Sequence, residues 1–205
     1  RRAPFDDIRV RRAVNDAIDR ARLVGLHGGP LLAEPTCQLV PPTTPGYTRY
    51  CSYTVNQDAS GTWKAPDLTR ARQLVAASKT KREKVVVWTQ PFFLREGVYF
   101  VTLLRQLGYR ARLHYVRDLA QYFDELKKAP NAQAGLLAWF GAPRALDILS
   151  LFSCSESGVN PSHFCDPRID AQIAQLARQD PSPESTRLAG RIDRELVNRA
   201  PLAPL

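Results

Sequence analysis

The 205-residue chain has no methionine, even at its first position, and it opens abruptly on Arg1-Arg2. This reads as a piece of a longer protein, so the lack of a visible signal peptide says nothing about compartment. Long hydrophobic runs are also missing. The longest, such as residues 135–140, fall far short of the eighteen or so apolar residues that span a bilayer. Catalytic signatures are absent: there is no G-x-S-x-G, H-E-x-x-H, P-loop or G-x-G-x-x-G, and Gly28-Gly29 runs into Pro30 with no strand before it. Only three histidines occur, His27, His114 and His163, and they are widely separated. His163 lies beside Cys165, but a Cys–His couple needs a free thiol. His114 fits a half-buried strand position. Asp166 and Asp170 read as helix-start residues rather than paired acids. No nucleophile stands near a base, so an enzyme is not expected, and neither a cofactor nor a metal is implied.

The cysteines that are present fall into two close pairs, Cys37/Cys51 and Cys154/Cys165. Neither has C-x-x-C spacing or a histidine at ligand distance, which argues against a metal site. Each brackets a polar or Pro/Gly-rich stretch. Two disulfides closing loops of about a dozen residues would stabilise by roughly 3 kcal/mol each in the chain-entropy model. Such bridges persist in oxidising compartments and place the chain outside the cytoplasm. Four unrelated buried thiols remain the alternative. The net charge is +9, carried by 23 arginines and six lysines. Basic residues are scattered among acids, as in residues 191–195, and the only dense basic stretch is Lys79 to Lys84. A solvated face is the ordinary fate of such a run, and no nucleic-acid partner is expected.

Along the chain, Asp6 or Asp7 caps a first helix with Ile8, Val14, Ile18 and Ala21 on its apolar stripe, closed by the glycines from Gly25 to Gly29. Residues 34–63 show no period; a loop this long should be functional or stapled, and Cys37/Cys51 supplies a staple. In it, Tyr47, Tyr50 and Tyr53 suit loop packing. Pro66-Asp67 opens a helix carrying Leu68, Ala71, Leu74 and Val75. Then follow a strand at Val85–Trp88, a helix at 94–107 closed by Gly108, an alternating strand at 111–115, a helix at 119–128 and a strand at 136–140. This order gives two βαβ crossovers and a mostly parallel sheet flanked by helices, an α/β fold. A short helix at 145–152, a stapled loop, and helices starting at Asp166-Pro167 and Ser182-Pro183 complete the chain.

The residues that remain suit recognition. Trp139 and Phe140 stand at the end of the third expected strand, where open α/β sheets gather ligands. An aromatic pair there forms a rigid apolar wall, or else packs into the core. Asn160, Ser162 and Phe164 lie in the second stapled loop, expected to border the same strand ends.

These features come in an order that resembles a known family. Pro4-Phe5-Asp6-Asp7-Ile8-Arg9-Val10-Arg11-Arg12-Ala13-Val14, continuing to Ala17-Ile18-Asp19-Arg20, resembles the helix opening the second lobe of family 5 solute-binding proteins. The resemblance continues through Pro41-Pro42 to Pro45-Gly46-Tyr47, Pro66-Asp67-Leu68, Leu107-Gly108-Tyr109, the Trp139 strand end, Asn160-x-Ser162-x-Phe164-x-Asp166-Pro167, and Ala200-Pro201-x-x-Pro204-Leu205. It implies a lobe of periplasmic-binding-protein type II, with residues 1–205 forming a single lobe of a two-lobed protein that traps its ligand by hinge closure. It further implies a peptide or other small solute as ligand, the membrane permease of an ABC importer as partner, a monomer, and a periplasmic or lipid-anchored surface location. In peptide-binding relatives an Asp three residues after the strand-end Trp pairs with the ligand's α-amine. Here that position is Ala142, followed by Pro143-Arg144. A cation thus replaces the usual acidic surroundings, and the ligand expected is one without a free amine, an anionic solute among the candidates, facing Arg144. A solute-sensing or interaction module inside a larger regulatory protein is the competing reading.

Overall fold

In the computed structural model, which describes residues 2–129, 132–139, 144–155, 160 and 162–205, the apolar run near Val85 is the central strand of a three-stranded parallel sheet. Strand β1, Lys84–Thr89, pairs on one side with β2, Arg110–Tyr115, in a register that sets Val85 beside Ala111 and Trp88 beside His114. On its other side lies β3, reduced to Ala134–Gly135. All of β1 after Lys84 is buried, as expected for a strand covered on both faces.

The described residues divide into two compact units. The first comprises residues 1–35 and 65–138, the second residues 36–64 and 139–205. In the first unit, helix α1 (Ile8–Ala17) starts at Asp7, whose carboxylate accepts from the Arg9 N–H, and packs on α3 (Leu68–Ser78), capped likewise by Asp67. The expected single long helix is instead two. Ile18 is extended, and Asp19 caps a second helix, α2 (Arg20–Leu26), while its own N–H donates to Tyr99 Oη at 2.7 Å. The buried stripe of α1 accordingly shifts to Val10, Ala13 and Ala17, and Ala21 is exposed. The β1–β2 crossover contains a short 3-10 turn, Pro91–Phe93, and α4 (Leu94–Gln106), closed by Gly108 at φ 97°. The β2–β3 crossover contains α5 (Leu119–Lys128), which starts at the Asp118 cap.

Over its described residues, 136–139, the strand expected at 136–140 is not formed as such. Leu136 N–H reaches Tyr122 Oη at 2.9 Å and Trp88 O at 3.3 Å, and its carbonyl accepts from the same tyrosine hydroxyl at 2.7 Å. The Leu136 N–H thus keeps a bond to β1, while a buried side chain from α5 takes the Leu136 carbonyl that would continue the ladder. Burial pushes the Tyr122 phenol up to about 12, so it stays a donor. Gly135 permits this approach, because a Cβ there would meet Tyr122 Oη at 2.9 Å and a Leu126 methyl at 2.8 Å. His114 is the half-buried strand residue expected, with its ring 3.9 Å from that of Trp88 and Nε2 3.6 Å from Glu125.

The second unit is built on α8 (Pro183–Arg199), against which α6 (Ala145–Leu149) and α7 (Pro167–Ala177) pack. Its cluster of buried side chains includes Val40, Leu149, Phe152, Phe164, Ile169, Ile173, Ile192 and Leu196. Both predicted bridges are present. Cys37–Cys51 has its Cα atoms 5.1 Å apart and Cys154–Cys165 4.7 Å.

Candidate ligand-binding site

Trp139 is 48% exposed, at the point where the chain leaves the first unit for the second. A tryptophan left half in solvent offers a broad apolar surface with one polar donor, the combination that recognition sites use. Phe140, its expected companion, lies outside the described residues, as do Ala142 and Pro143.

Arg144 is the N-cap of α6. Its guanidinium donates to Asp147 Oδ1 at 2.7 Å, and its backbone N–H donates to Asp147 Oδ2 at 3.1 Å. The Arg144 hydrogen bond holds the Asp147 carboxyl below the usual range. Arg144 therefore presents a charge already paired with an acid.

Asn160 is buried and organises its own loop. Its amide donates to Phe164 O at 2.6 Å, while its Oδ1 accepts from Ser162 Oγ at 2.7 Å and from the Phe164 N–H at 3.3 Å. Phe164 is buried edge-on against Phe152, with ring centroids 6.4 Å apart. Asp170 clamps the loop's other end, accepting from Ser153 Oγ and the Cys154 N–H. The polar groups of Asn160 and Ser162 thus bond within the loop, and Phe164 anchors it. Ala145, next to Arg144, belongs to the same buried cluster as Phe164.

The sequence reading missed Asp193. This residue is wholly buried on α8, where Oδ1 accepts from the N–H groups of Leu39 (2.8 Å) and Val40 (3.3 Å) and Oδ2 accepts from Tyr50 Oη at 3.0 Å. Burial raises its pKa, against the pull of the Leu39 N–H. It fastens the 37–51 loop from inside, as the cystine does from its ends, and Gln38 Nε2 adds a bond to Tyr50 O. The signal was an acid on the apolar stripe of α8, between Ala189 and Leu196. Asp16 is a second case. It is fully buried beside Arg70, with Nε 3.4 Å from Oδ2, and desolvation raises its carboxyl to about 7. Cys165 is bonded to Cys154, so His163 has no thiol to activate. Among the described residues no cluster of His, Cys, Asp or Glu could hold a metal ion. None of the described helices is long and apolar enough to cross a membrane.

Solved structures that share this fold include the following three. A periplasmic binding protein associated with an ABC transporter, DppA from Helicobacter pylori in complex with the peptide STSA, superposes with a TM-score of 0.83 at 18% identity, covering 100% of this chain and 39% of its own. The clavulanic acid biosynthesis oligopeptide binding protein 2 gives 0.83 at 24% identity, over 99% and 38%. The murein tripeptide binding protein MppA of Escherichia coli gives 0.82 at 21%, over 100% and 40%. The chain thus spans about two fifths of the length of these structures. A search of curated proteins finds no match. The family model for the middle region of bacterial extracellular solute-binding proteins, family 5, matches residues 1–159. With the parallel sheet, its flanking helices and the two stapled loops already in place, the chain belongs to the family 5 bacterial extracellular solute-binding proteins.

Proposed function

We propose that this chain is the ligand-binding lobe of an extracytoplasmic solute-binding protein serving an ABC importer. It captures a peptide or other small solute by closing against a first lobe that lies outside residues 1–205. The family match over residues 1–159 carries the reading, because this is a family of solute-binding proteins rather than of enzymes. The two cystines support an oxidising, extracytoplasmic setting and weigh against a cytoplasmic regulatory module.

Trp139 is the residue assigned to the ligand, with Phe140 beside it in sequence and Arg144 and the 160–164 loop as the frame. Asn160 and Phe164 act by holding that frame, since their polar groups and ring are used within the loop. Ala142 supplies no acid for a peptide's α-amine, and Asp147 is engaged by Arg144. Recognition therefore does not run through a free amine. Because Arg144 is matched by Asp147, an anionic ligand gains little from it, and a neutral or amine-blocked solute fits better.

The test is calorimetric titration of the protein carrying both lobes with short peptides, free and N-acetylated. Acetylation is expected to change Kd by less than about threefold, well under the roughly 1.4 kcal/mol of a tenfold change. Tight binding that requires the free amine would overturn the ligand assignment.

A further inference from the structure

The first unit carries a basic face at the N-terminal end of its sheet that solute capture does not use. Lys81, Arg82 and Lys84 precede and open β1, and Arg105, Arg110 and Arg112 surround the start of β2; all six are exposed. They are held together, not merely close in sequence. The Arg82 N–H donates to Gly108 O at 2.9 Å, the Arg110 N–H to Glu83 O at 2.9 Å, and Arg110 Nε to Arg82 O at 2.7 Å. Arg105 Nε donates to Ala111 O at 2.9 Å. The Lys81 stem lies on Gly108, so near that a Cβ there would meet its methylenes at 3.0 Å. The register then sets Lys84 beside Arg110.

Among the described residues none of the six forms an ion pair with a carboxylate. Between Lys79 and Arg112 the sequence contains only two acids, Glu83 and Glu96, and Glu96 is buried beside His27. Guarding an open sheet edge such as β2 needs a charge or two. Six unmatched cations on one face repel one another, a cost that an anionic partner removes.

We propose that this face docks on the headgroups of an anionic phospholipid bilayer. The inference rests on the extracytoplasmic setting of the proposed function, but not on which solute is bound. None of the six lines the cavity along α5 or the one bounded by Tyr99, Leu68 and Arg22, so these cations present an outer face rather than a cleft for one small anion. Distributed cations suit a layer of charged headgroups, each contributing near the surface and fading within a Debye length. The same cystines that place the chain outside the cytoplasm disfavour nucleic acid.

The test is co-sedimentation of the protein with vesicles of phosphatidylcholine alone and of phosphatidylcholine with 30% phosphatidylglycerol, at about 50 and 300 mM salt. Binding is expected only to the anionic vesicles and only at low salt. The variant Lys81→Glu/Lys84→Glu/Arg112→Glu leaves intact the loop hydrogen bonds made through Arg82, Arg105 and Arg110. It is expected to lose about a hundredfold in partitioning, from roughly fivefold per basic residue. The variant Arg178→Glu/Arg187→Glu/Arg191→Glu, with the same change in net charge on exposed positions of the second unit, is expected to lose far less. Equal losses in both variants, or wild-type protein that ignores anionic vesicles, would overturn the proposal. So would tighter binding to duplex DNA or to polyglutamate than to vesicles. Peptide titration of the same samples separates the outcomes, since lost vesicle binding with intact solute binding removes this inference alone.

Discussion

Two buried aspartates decide more of the chain's behaviour than any residue a motif search selects. Asp193 answers three donors at once, and replacing it with Ala leaves the Leu39 and Val40 N–H groups and the Tyr50 hydroxyl unpaired in the interior. Asp193→Ala is expected to cost about 2–4 kcal/mol, read from the shift in urea midpoint. Asp16 has the opposite character. Neither of its oxygens accepts a hydrogen bond, and burial outweighs the attraction of Arg70, Arg20 and Arg12, so its folded pKa stands near 7 against 3.8 for the free group. The folded state therefore holds a proton that the unfolded state releases. Its contribution to stability is fully present below about pH 4 and is lost as pH rises through 7. Asp16→Asn is expected to flatten that part of the stability profile and to raise stability at pH 8, by an amount on the order of 1–3 kcal/mol. Thermal melts of both proteins from pH 4 to 8 check the sign. Equal slopes in the two profiles would remove Asp16 as the cause. Neither residue was legible in the sequence as a hub, because their partners are far away in the chain: Asp193 answers Leu39, 154 positions distant.

Among the elements, those with their own start and stop signals were readable. Helix α7 begins after Asp166 and α8 after Ser182, each at the expected starting residue, and α5 covers the expected 119–128, with Asp118 as its cap. Strand β1 was readable from its unbroken apolar run. What failed depended on contacts from elsewhere. The first helix breaks at Ile18, where the Asp19 N–H meets Tyr99, and β3 stops at Gly135, beyond which Tyr122 takes the Leu136 carbonyl. Of the site, the cystines were legible from spacing and loop composition, whereas the role of Asn160 as organiser of its loop was not. Helix α3 ends on Lys79 in the left-handed region, at φ 61° and ψ 18°, a conformation that costs a side chain about 1 kcal/mol. Lys79→Gly, at this exposed site, is expected to stabilise by roughly 0.5–1 kcal/mol in chemical denaturation. A destabilised variant would mean that the lysine side chain contributes more than its backbone strain removes.

At the scale of the whole molecule, the chain is two fifths of the length of the structures it resembles, and its fold is that of a solute-binding protein. Its candidate site follows from that placement: a half-exposed tryptophan, an Arg144–Asp147 pair that is already neutral, and a loop held by its own asparagine. Reducing both cystines is expected to cost up to about 3 kcal/mol each, with the 37–51 loop retaining its Asp193 anchor. The central claim, that this lobe captures small solutes through Trp139, is tested most directly by calorimetry on the protein with both lobes, comparing wild type and Trp139→Ala against a panel of tripeptides. Saturable binding that weakens at least tenfold on the substitution, about 1.4 kcal/mol or more, is the predicted result. Binding unchanged by Trp139→Ala, or no binding to any member of the panel, would contradict it.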